Sequence, residues 1–298
     1  MMSSELPAGQ DNTYVFDPES AAEMARLINL DRMMTKCMGG ALAEQAHPEQ
    51  FHTILDLGCG PGGWVLDMAF AFPESTVAGV DISRTMVDYA NARARSQHLS
   101  NASFGVMDIR QPLDFADEAF DLVNARFLVI ALYREAWPRL VAECKRLLKP
   151  GGVLRLTETD TFGLTTSPAF EQMKHLCMQF THQAGYGFSP DGHSCGMTPV
   201  LARLLRQAGF VAIESKAYAV RFSPFDEAYA DVRDNTRVSV LHTRPLLIKA
   251  GLITEKAFDQ LYQQMEIEML SDDFYGVWPF MSVWGQRPTQ REQTCRTV

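Results

Sequence analysis

Short apolar stretches alternate with helix-like repeats from residue 53 onward. Five stretches are typical of buried strands, because each is a brief apolar run that ends in polar or turn residues: TILDLG, STVAGVD, ASFGVMD, the start of AFDLVNARFLVIAL, and VLRLTET. Apolar residues recur at helical spacing between the strands, and Ser83 stands where it can cap one of these helices. This alternation predicts an α/β fold with a doubly wound parallel sheet.

The segment before the fifth strand has the clearest helical pattern in the chain. Its apolar positions recur every three or four residues: Trp137, Leu140, Val141, Cys144, Leu147 and Leu148. The sequence KPGG follows directly, and we expect Gly151 to cap this helix.

The regular alternation ends after residue 160. Two further helices are predicted in SPAFEQMKHLCMQFTHQAG and TPVLARLLRQAGF, followed by a strand in AIESKAYAVRF and a helical region over 225–272. The ending FYGVWPFMSVWGQ is typical of a closing strand. Because proline cannot donate a ladder hydrogen bond, we expect that strand to begin at Phe280, after Pro279.

No internal repeat or low-complexity linker divides the chain, so a single domain over residues 1–298 is predicted. Its expected parts are an N-terminal helical segment (1–48), a cofactor-binding core (50–160), two cap insertions (161–197 and 225–272), and the remaining helix and strands of the core (198–224 and 274–287).

Composition and charge narrow the classes of partner. The 298 residues carry a net charge of −9, and nucleic-acid binding usually needs a basic surface, so no nucleic-acid partner is expected. No run of eighteen apolar residues exists and the start MMSSELPAGQDN lacks a signal-peptide pattern, so we expect no membrane insertion and a cytoplasmic location. The six cysteines, including Cys295 near the end, show no metal-ligand spacing, and no metal site is expected.

The glycine loop in ILDLGCGPGGWVLDMAF raises the question of a nucleoside ligand. Gly58, Gly60 and Gly63 form a G-x-G-x-x-G sequence between a predicted strand and a predicted helix, with Asp81 some twenty residues further on. A dinucleotide would place its pyrophosphate at the helix start, whereas S-adenosylmethionine needs glycines only for close backbone approach. No second glycine fingerprint follows, which favours S-adenosylmethionine; a nicotinamide-dependent oxidoreductase is the alternative.

Polar residues end the predicted strands, where ligands bind on doubly wound sheets. Asp81 can accept hydrogen bonds from both ribose hydroxyls through its two oxygens, and Asp108 can accept one from the adenine amino group. Ile82 and Ile109 offer apolar walls for the purine ring. Asp56 suits a cationic amino group just before the glycine loop.

The ordered motifs ILDLGCGPG, VAGVDIS, GVMDI, FDLVNARFLVIAL and RLLKPGGVLRLTE resemble those of class I S-adenosylmethionine-dependent methyltransferases, best the small-molecule branch of quinone-biosynthesis and natural-product enzymes. The resemblance implies a Rossmann-like doubly wound sheet of seven strands, the last antiparallel, here with a helical cap. It also implies that a set of residues holds the cofactor: Asp56, Gly58, Gly60, Gly62, Asp81, Ile82, Asp108, Ile109, Asn124, Ala125 and Arg126.

The N-terminal segment is expected to complete the cofactor site. YVFDPESAAEMARLINLDRMMTKCMGG is typical of a helix start, with Asp17 as its cap and Pro18 in the first turn. In related enzymes such a segment covers the cofactor, which implies a role for Tyr14 and for the region of Arg32. Packing on the sheet edge or on a second subunit is an equal alternative, so the segment or the cap is a candidate homo-oligomer interface.

The acceptor and any catalytic group must come from the cap, because methyl transfer needs alignment and water exclusion more than a covalent catalyst. The loop GYGFSPDGHSCGM offers His193 and Tyr186 as candidate catalytic residues, although a solvent-facing loop histidine is the commoner case. The cap is rich in Met and aromatic residues, which predicts a small apolar or aromatic acceptor methylated on oxygen or carbon. A protein on this fold that binds the cofactor without transferring methyl is the other alternative.

Overall fold

A mixed sheet of eight strands forms the centre of the computed structural model, which describes residues 13–289; the predictions about the first twelve residues and Cys295 lie outside that range. The strands are β1 (Thr53–Leu57), β2 (Thr76–Asp81), β3 (Ala102–Val106), β4 (Phe120–Arg126), β5 (Leu148–Thr159), β6 (Leu164–Thr165), β7 (Val211–Arg221) and β8 (Gly276–Gln286).

The order of the strands confirms the predicted fold class. The sheet runs β3-β2-β1-β4-β5-β8, with β7 on the far side of β8. Strands β1 to β5 pair in parallel, and β8 is antiparallel to both β5 and β7. The sheet has eight strands rather than seven because the short strand Leu164–Thr165 pairs with the start of β8. A two-residue strand leaves no periodic signal in the sequence.

Helices cover the sheet and extend beyond the ends of its strands. They are α1 (Ala21–Met38), α2 (Gly63–Ala71), α3 (Arg84–Ser96), α4 (Trp137–Leu147), α5 (Pro168–Gln183), α6 (Thr198–Gln207), α7 (Tyr229–Lys249) and α8 (Glu255–Met269). Helix α5 packs on α7 and α8, and α1 packs on α7. We call α5, α7 and α8 the cap helices.

Local chemistry explains where the central helices begin. The Ser83 side chain accepts a hydrogen bond from the Met86 amide at 3.1 Å, which caps α3 as the sequence predicts. At α1 the prediction was wrong: Ser20, not Asp17, accepts from the Glu23 amide and caps the helix. The Asp17 carboxylate instead accepts from the Glu19 amide in the preceding turn.

The predictions for Gly151 and Pro279 were also wrong. Helix α4 ends at Leu147 and β5 begins at the next residue, because Pro150 cannot continue a helix; Gly151 lies inside β5. Pro279 lies inside β8, opposite Ala219 of β7. The Pro279 carbonyl faces β5, where it accepts a hydrogen bond from the Thr159 hydroxyl. The pairing between β5 and β8 ends one residue away, at Phe280, so the N–H that proline lacks is not needed for a hydrogen bond between these strands.

Candidate functional site

A deep cavity opens where the parallel strands end. The space inside it, with the open solvent at its mouth included, is about 1510 Å³. Of the residues predicted to bind cofactor, nine line it: Tyr14, Asp56, Gly58, Gly60, Asp81, Ile82, Asp108, Ile109 and Arg126.

The glycine loop is fixed to the next strand by Asp81. One carboxylate oxygen of Asp81 accepts from the Gly60 amide at 2.9 Å, and the other accepts from the Ser83 amide at 2.9 Å. Burial raises the pKa of Asp81, and these backbone hydrogen bonds oppose the shift. Each oxygen keeps a second lone pair, so the carboxylate can still receive two ribose hydroxyls.

Asp108 has a partner that sequence reasoning missed. Arg110 donates to both Asp108 oxygens through its guanidinium, with a shortest separation of 2.8 Å. A purine amino group must therefore share the carboxylate with Arg110. Apolar side chains of Ile82, Ile109 and Met107 line the same part of the cavity.

A buried network of polar side chains holds Asp56. The Asn124 amide donates to Asp56 at 2.7 Å, and Arg155 donates to the Asn124 oxygen at 2.7 Å. Arg155 is fully buried and also pairs with Glu44, to which the Tyr218 hydroxyl donates. Burial raises the pKa of Asp56 to about 7, against the opposing effects of Arg126 and Asn124. Asn124 thus orients a cavity carboxylate without lining the cavity itself.

Helix α1 contributes Asp31, the neighbour of Arg32, whose region the family resemblance implied but whose own role the sequence did not reveal. Asp31 lines the cavity and pairs with Arg126 of β4, whose guanidinium also donates to the Thr35 hydroxyl at 3.3 Å. Asp31 also lies against Gly63, where an added Cβ would approach its carboxylate to 1.9 Å. The pair places one charge of each sign beside the start of α2.

The N-terminal segment and α1 are joined by a second buried network. Arg26 pairs with Glu23 at 2.6 Å, and the Tyr14 hydroxyl donates to the same carboxylate at 2.5 Å. Burial opposes ionisation of Glu23, but its hydrogen bonds to Arg26 outweigh that effect and its pKa is lowered. The Arg26 guanidinium also donates to the Asn235 oxygen of α7 at 2.8 Å. Tyr14, Arg26 and Asn235 all line the cavity, so this network joins the N-terminal segment and α1 to the cap helix α7.

Two further predicted cofactor residues lie away from the cavity. Gly62 is the N-cap of α2 and has a φ of +79°, and a Cβ there would come within 2.8 Å of Phe104 and Ala90, so packing requires glycine. Ala125 is buried within β4 and does not line the cavity.

Neither predicted catalytic residue lies at the cavity. His193 is on the exposed surface, where its ring stacks on His175 with centroids 5.3 Å apart. Tyr186 is buried, and its hydroxyl donates to the Thr13 carbonyl, which holds the N-terminal segment. Burial raises the pKa of Tyr186 above its usual range.

A second cavity adjoins the first on the side of the cap helices. We call it the acceptor chamber; its lining is mostly apolar, with side chains from α5, α7 and α8: Phe170, Met173, Lys174, Cys177, Thr236, Val240, Thr243 and Met265. Four residues line both cavities and define the neck between them: Phe16, Phe162, Asn235 and Ser239. Met173 of α5 lies in the chamber, and Trp278 of β8 lines the first cavity.

The strand-end residues suit a cationic nucleoside better than a dinucleotide. Asp56, Asp81 and Asp108 place three carboxylates in the first cavity. A pyrophosphate would bring negative charge beside them, whereas S-adenosylmethionine offers hydroxyls, an amino group and a sulfonium. Arg110 and Arg126 are already paired with carboxylates. Over residues 13–289, no group of three or more His, Cys, Asp or Glu residues is placed to hold a metal ion.

Comparisons with known proteins agree with this site. Residues 54–152 match the family described as a methyltransferase domain. Methyltransferase pytC of Aspergillus terreus is 23% identical over 291 residues, covering 93% of this chain and 84% of the relative. Malonyl-(acyl-carrier protein) O-methyltransferase of a Paenibacillus species is 27% identical over 222 residues, covering 72% of this chain and 74% of the relative.

A solved structure shares the fold. Phosphoethanolamine N-methyltransferase 2 of Haemonchus contortus, in complex with S-adenosyl-L-methionine, superposes with a TM-score of 0.52 at 19% identity. The match covers 91% of this chain and 57% of that chain, so this protein spans less than two thirds of that enzyme.

The matched methyltransferase domain and the methyltransferase relatives support the assignment of this chain as a class I S-adenosylmethionine-dependent methyltransferase, of the small-molecule branch that its motifs resemble. It is an enzyme with S-adenosylmethionine as its cofactor. Within the described part of the chain, no helix combines the length and the hydropathy that crossing a bilayer requires.

Proposed function

We propose that the enzyme methylates a small, largely apolar or aromatic organic acceptor, on oxygen or carbon, by in-line displacement. The observation that carries this proposal is the acceptor chamber, because it adjoins the cofactor cavity through the neck and has a mostly apolar lining. Apolar pockets with a few polar groups are typical of small-molecule sites. The O-methyltransferase name of the Paenibacillus relative supports oxygen as one candidate atom.

Residues at the strand ends would hold the cofactor in this proposal. Asp81 would bind the ribose, Asp108 with Ile109 the adenine, and Asp56 the cationic amino group. When bound there, S-adenosylmethionine would supply its sulfonium methyl group: the acceptor atom would bond the methyl carbon as the carbon–sulfur bond breaks and leaves its electron pair on sulfur. The neck residues would align the acceptor with that methyl group, and the cap helices would exclude water.

The lining of the chamber explains why we propose no general base. Among the described residues that line it, none is a histidine or a carboxylate. Lys174 donates to the Gly163 carbonyl at 3.1 Å and pairs with Glu171, and burial raises the pKa of Cys177 to about 11. Catalysis would thus come from alignment and desolvation of an acceptor that already carries an electron pair for attack.

The proposal extends to the organisation of the chain and its surroundings. Residues 161–197 and 225–272 would form the cap that selects the acceptor, in a single domain with the core over residues 50–160. We also propose a cytoplasmic enzyme of secondary metabolism or quinone-like biosynthesis that acts without a nucleic-acid partner.

The test is conversion of methyl-labelled S-adenosylmethionine to S-adenosylhomocysteine with a panel of phenols, enolisable ketones, carboxylic acids and amines. The expected result is acceptor-dependent turnover with an oxygen or carbon acceptor. Turnover restricted to amines would contradict the proposed atom class, and cofactor binding without turnover on the whole panel would contradict the proposed acceptor class. Incubation with NADH is a control that should leave the melting temperature unchanged.

A further inference from the structure

Two hydrogen-bond donors lie side by side at the neck. Asn235 and Ser239 are four residues apart on α7, so their side chains share one face of the helix, and both line both cavities. Over residues 13–289, neither the Asn235 amide nitrogen nor the Ser239 hydroxyl donates a hydrogen bond to another residue. Asn235 is only 7% exposed and Ser239 is half-buried, and neither donor atom is sealed off from the cavity, so both are available to a bound molecule.

Arg26 fixes which end of the Asn235 amide is available. Its guanidinium donates to the Asn235 oxygen at 2.8 Å and cannot accept a hydrogen bond, so the amide oxygen must face Arg26. Arg26 is itself held by Glu23 at 2.6 Å, which prevents it from turning away. The NH₂ group is therefore presented away from Arg26. The positive charge behind the amide also polarises it and strengthens the NH₂ group as a donor.

The rest of the chamber restricts what those donors can bind. A donor pair needs an oxygen or nitrogen with a free lone pair, and a carbon acceptor without a heteroatom would leave both donors unpaired. Because the described residues that line the chamber include neither histidine nor carboxylate, the chamber itself supplies no such base, and an acceptor that ionises on its own fits it best. An oxygen acid that ionises in water satisfies both conditions.

We propose that the acceptor is an oxyanion, a carboxylate, phenolate or enolate attached to an apolar body, and that Asn235 and Ser239 bind its charged oxygen at the neck. This inference rests on the proposed function and sharpens it from an apolar acceptor to an acidic one. The apolar body occupies the chamber between α5, α7 and α8. The bound oxygen is either the methylated atom or the enolate oxygen next to a methylated carbon.

The experiment uses matched probes that differ only in the oxyanion. Calorimetric titration of the full chain, saturated with S-adenosylhomocysteine at pH 8, compares 4-nitrophenolate with 4-nitrotoluene and cinnamate with cinnamamide. At least one oxyanion should bind about tenfold more tightly than its neutral partner, the size expected for hydrogen bonds to a charged group. Which pair shows the preference distinguishes a phenolate site from a carboxylate site.

Two variants connect that preference to the neck. Asn235→Asp keeps the bond to Arg26 and places a carboxylate at the neck, and Ser239→Ala removes a single hydroxyl. Both should reduce the oxyanion preference while leaving affinity for S-adenosylhomocysteine unchanged. Asp234→Asn, an exposed change next to the neck residue on α7, is the matched control and should keep the preference.

The outcomes separate the inference from the function on which it rests. Equal affinity for both members of each pair, or a preference retained in both Asn235→Asp and Ser239→Ala, would overturn the oxyanion inference and leave the chamber as an acceptor site. Failure of every probe to bind the cofactor-loaded protein would count against both proposals.

Discussion

The strand ends and the cap helices face one cavity, but they are held by contacts of different range. At the strand ends, Asp81 bonds Ser83 and Asp108 bonds Arg110, in each case two residues along the chain. On the cap side, Arg26 bonds Asn235, 209 residues away. Asp81 and Asp108 are therefore oriented in part by local sequence, whereas Asp56, held by Asn124 68 positions away, and the cap side depend on the packing of distant segments. This difference leads us to expect cofactor affinity to depend on the strand ends and acceptor choice on the cap.

The largest effect is expected below the strand ends, at Arg155. Arg155→Met should destabilise the protein by about 3–5 kcal/mol, because it leaves Glu44 buried without its partner. Denaturant unfolding monitored by circular dichroism measures this change. Arg139→Met, at an exposed position of α4 that forms no ion pair within residues 13–289, is the comparison and should lie within about 0.5 kcal/mol of the parent. A similarly small effect at Arg155 would mean that the buried network of Arg155 and Glu44 does not stabilise the strand ends.

Next in size is the loss of the Asp81 carboxylate. Asp81→Ala should weaken S-adenosylhomocysteine binding by about a hundredfold, since it removes the partner of the glycine loop and two proposed hydrogen bonds to the ribose. Calorimetry measures the dissociation constant. Asp88→Ala, on an exposed position of α3, should leave it unchanged. If both variants bind S-adenosylhomocysteine as tightly as the parent, the cofactor does not bind at Asp81 and the proposed strand-end site is wrong.

The cap side is tested by filling the acceptor chamber. Met173 is buried and lines the chamber but not the first cavity, so Met173→Phe should reduce acceptor kcat/KM by about tenfold, corresponding to about 1.4 kcal/mol. Affinity for S-adenosylhomocysteine should stay within about twofold, which also shows that the variant is folded. Equal loss of acceptor turnover and cofactor affinity would contradict the division of roles between strand ends and cap.

The smallest expected effect is a dependence of cofactor affinity on pH. Burial raises the pKa of Asp56 to about 7, and a cationic amino group favours the ionised carboxylate. Binding should thus tighten as pH rises through about 7 and level off above it, a several-fold gain between pH 6 and 8. Calorimetry at both pH values measures the gain, and Asp56→Asn should remove it. A gain that persists in Asp56→Asn would assign the titration to another group.

The same contrast explains how much the sequence could predict. The rule that ligands bind at the ends of parallel strands led to Asp56, Asp81 and Asp108, and the structure brings all three to one cavity. Ser83 was recognised as a helix cap because capping is local. The fold class followed from the alternation of strand-like and helix-like apolar patterns, although the strand Leu164–Thr165 was too short to leave such a pattern.

Residues whose position depends on tertiary packing could not be found in this way. Asp31 reaches Arg126 across 95 positions, and nothing in the pattern of α1 marks it as a cavity residue. Asn235 and Ser239 are ordinary polar residues within a long helix until α1 and α7 meet. His193 attracted attention by residue type alone, because the exposure of a loop cannot be deduced from its composition. Pro279 was placed outside β8 because the end of the β5 ladder is not visible in the sequence.

A crystal structure of the protein with S-adenosylhomocysteine tests the central claim most directly. We expect the ribose at Asp81, the purine between Ile82 and Ile109, and the sulfur facing the neck formed by Phe16, Phe162, Asn235 and Ser239, with the acceptor chamber beyond it. A nucleoside bound away from Asp81 and Asp108, or a sulfur that faces away from the neck, would contradict the account.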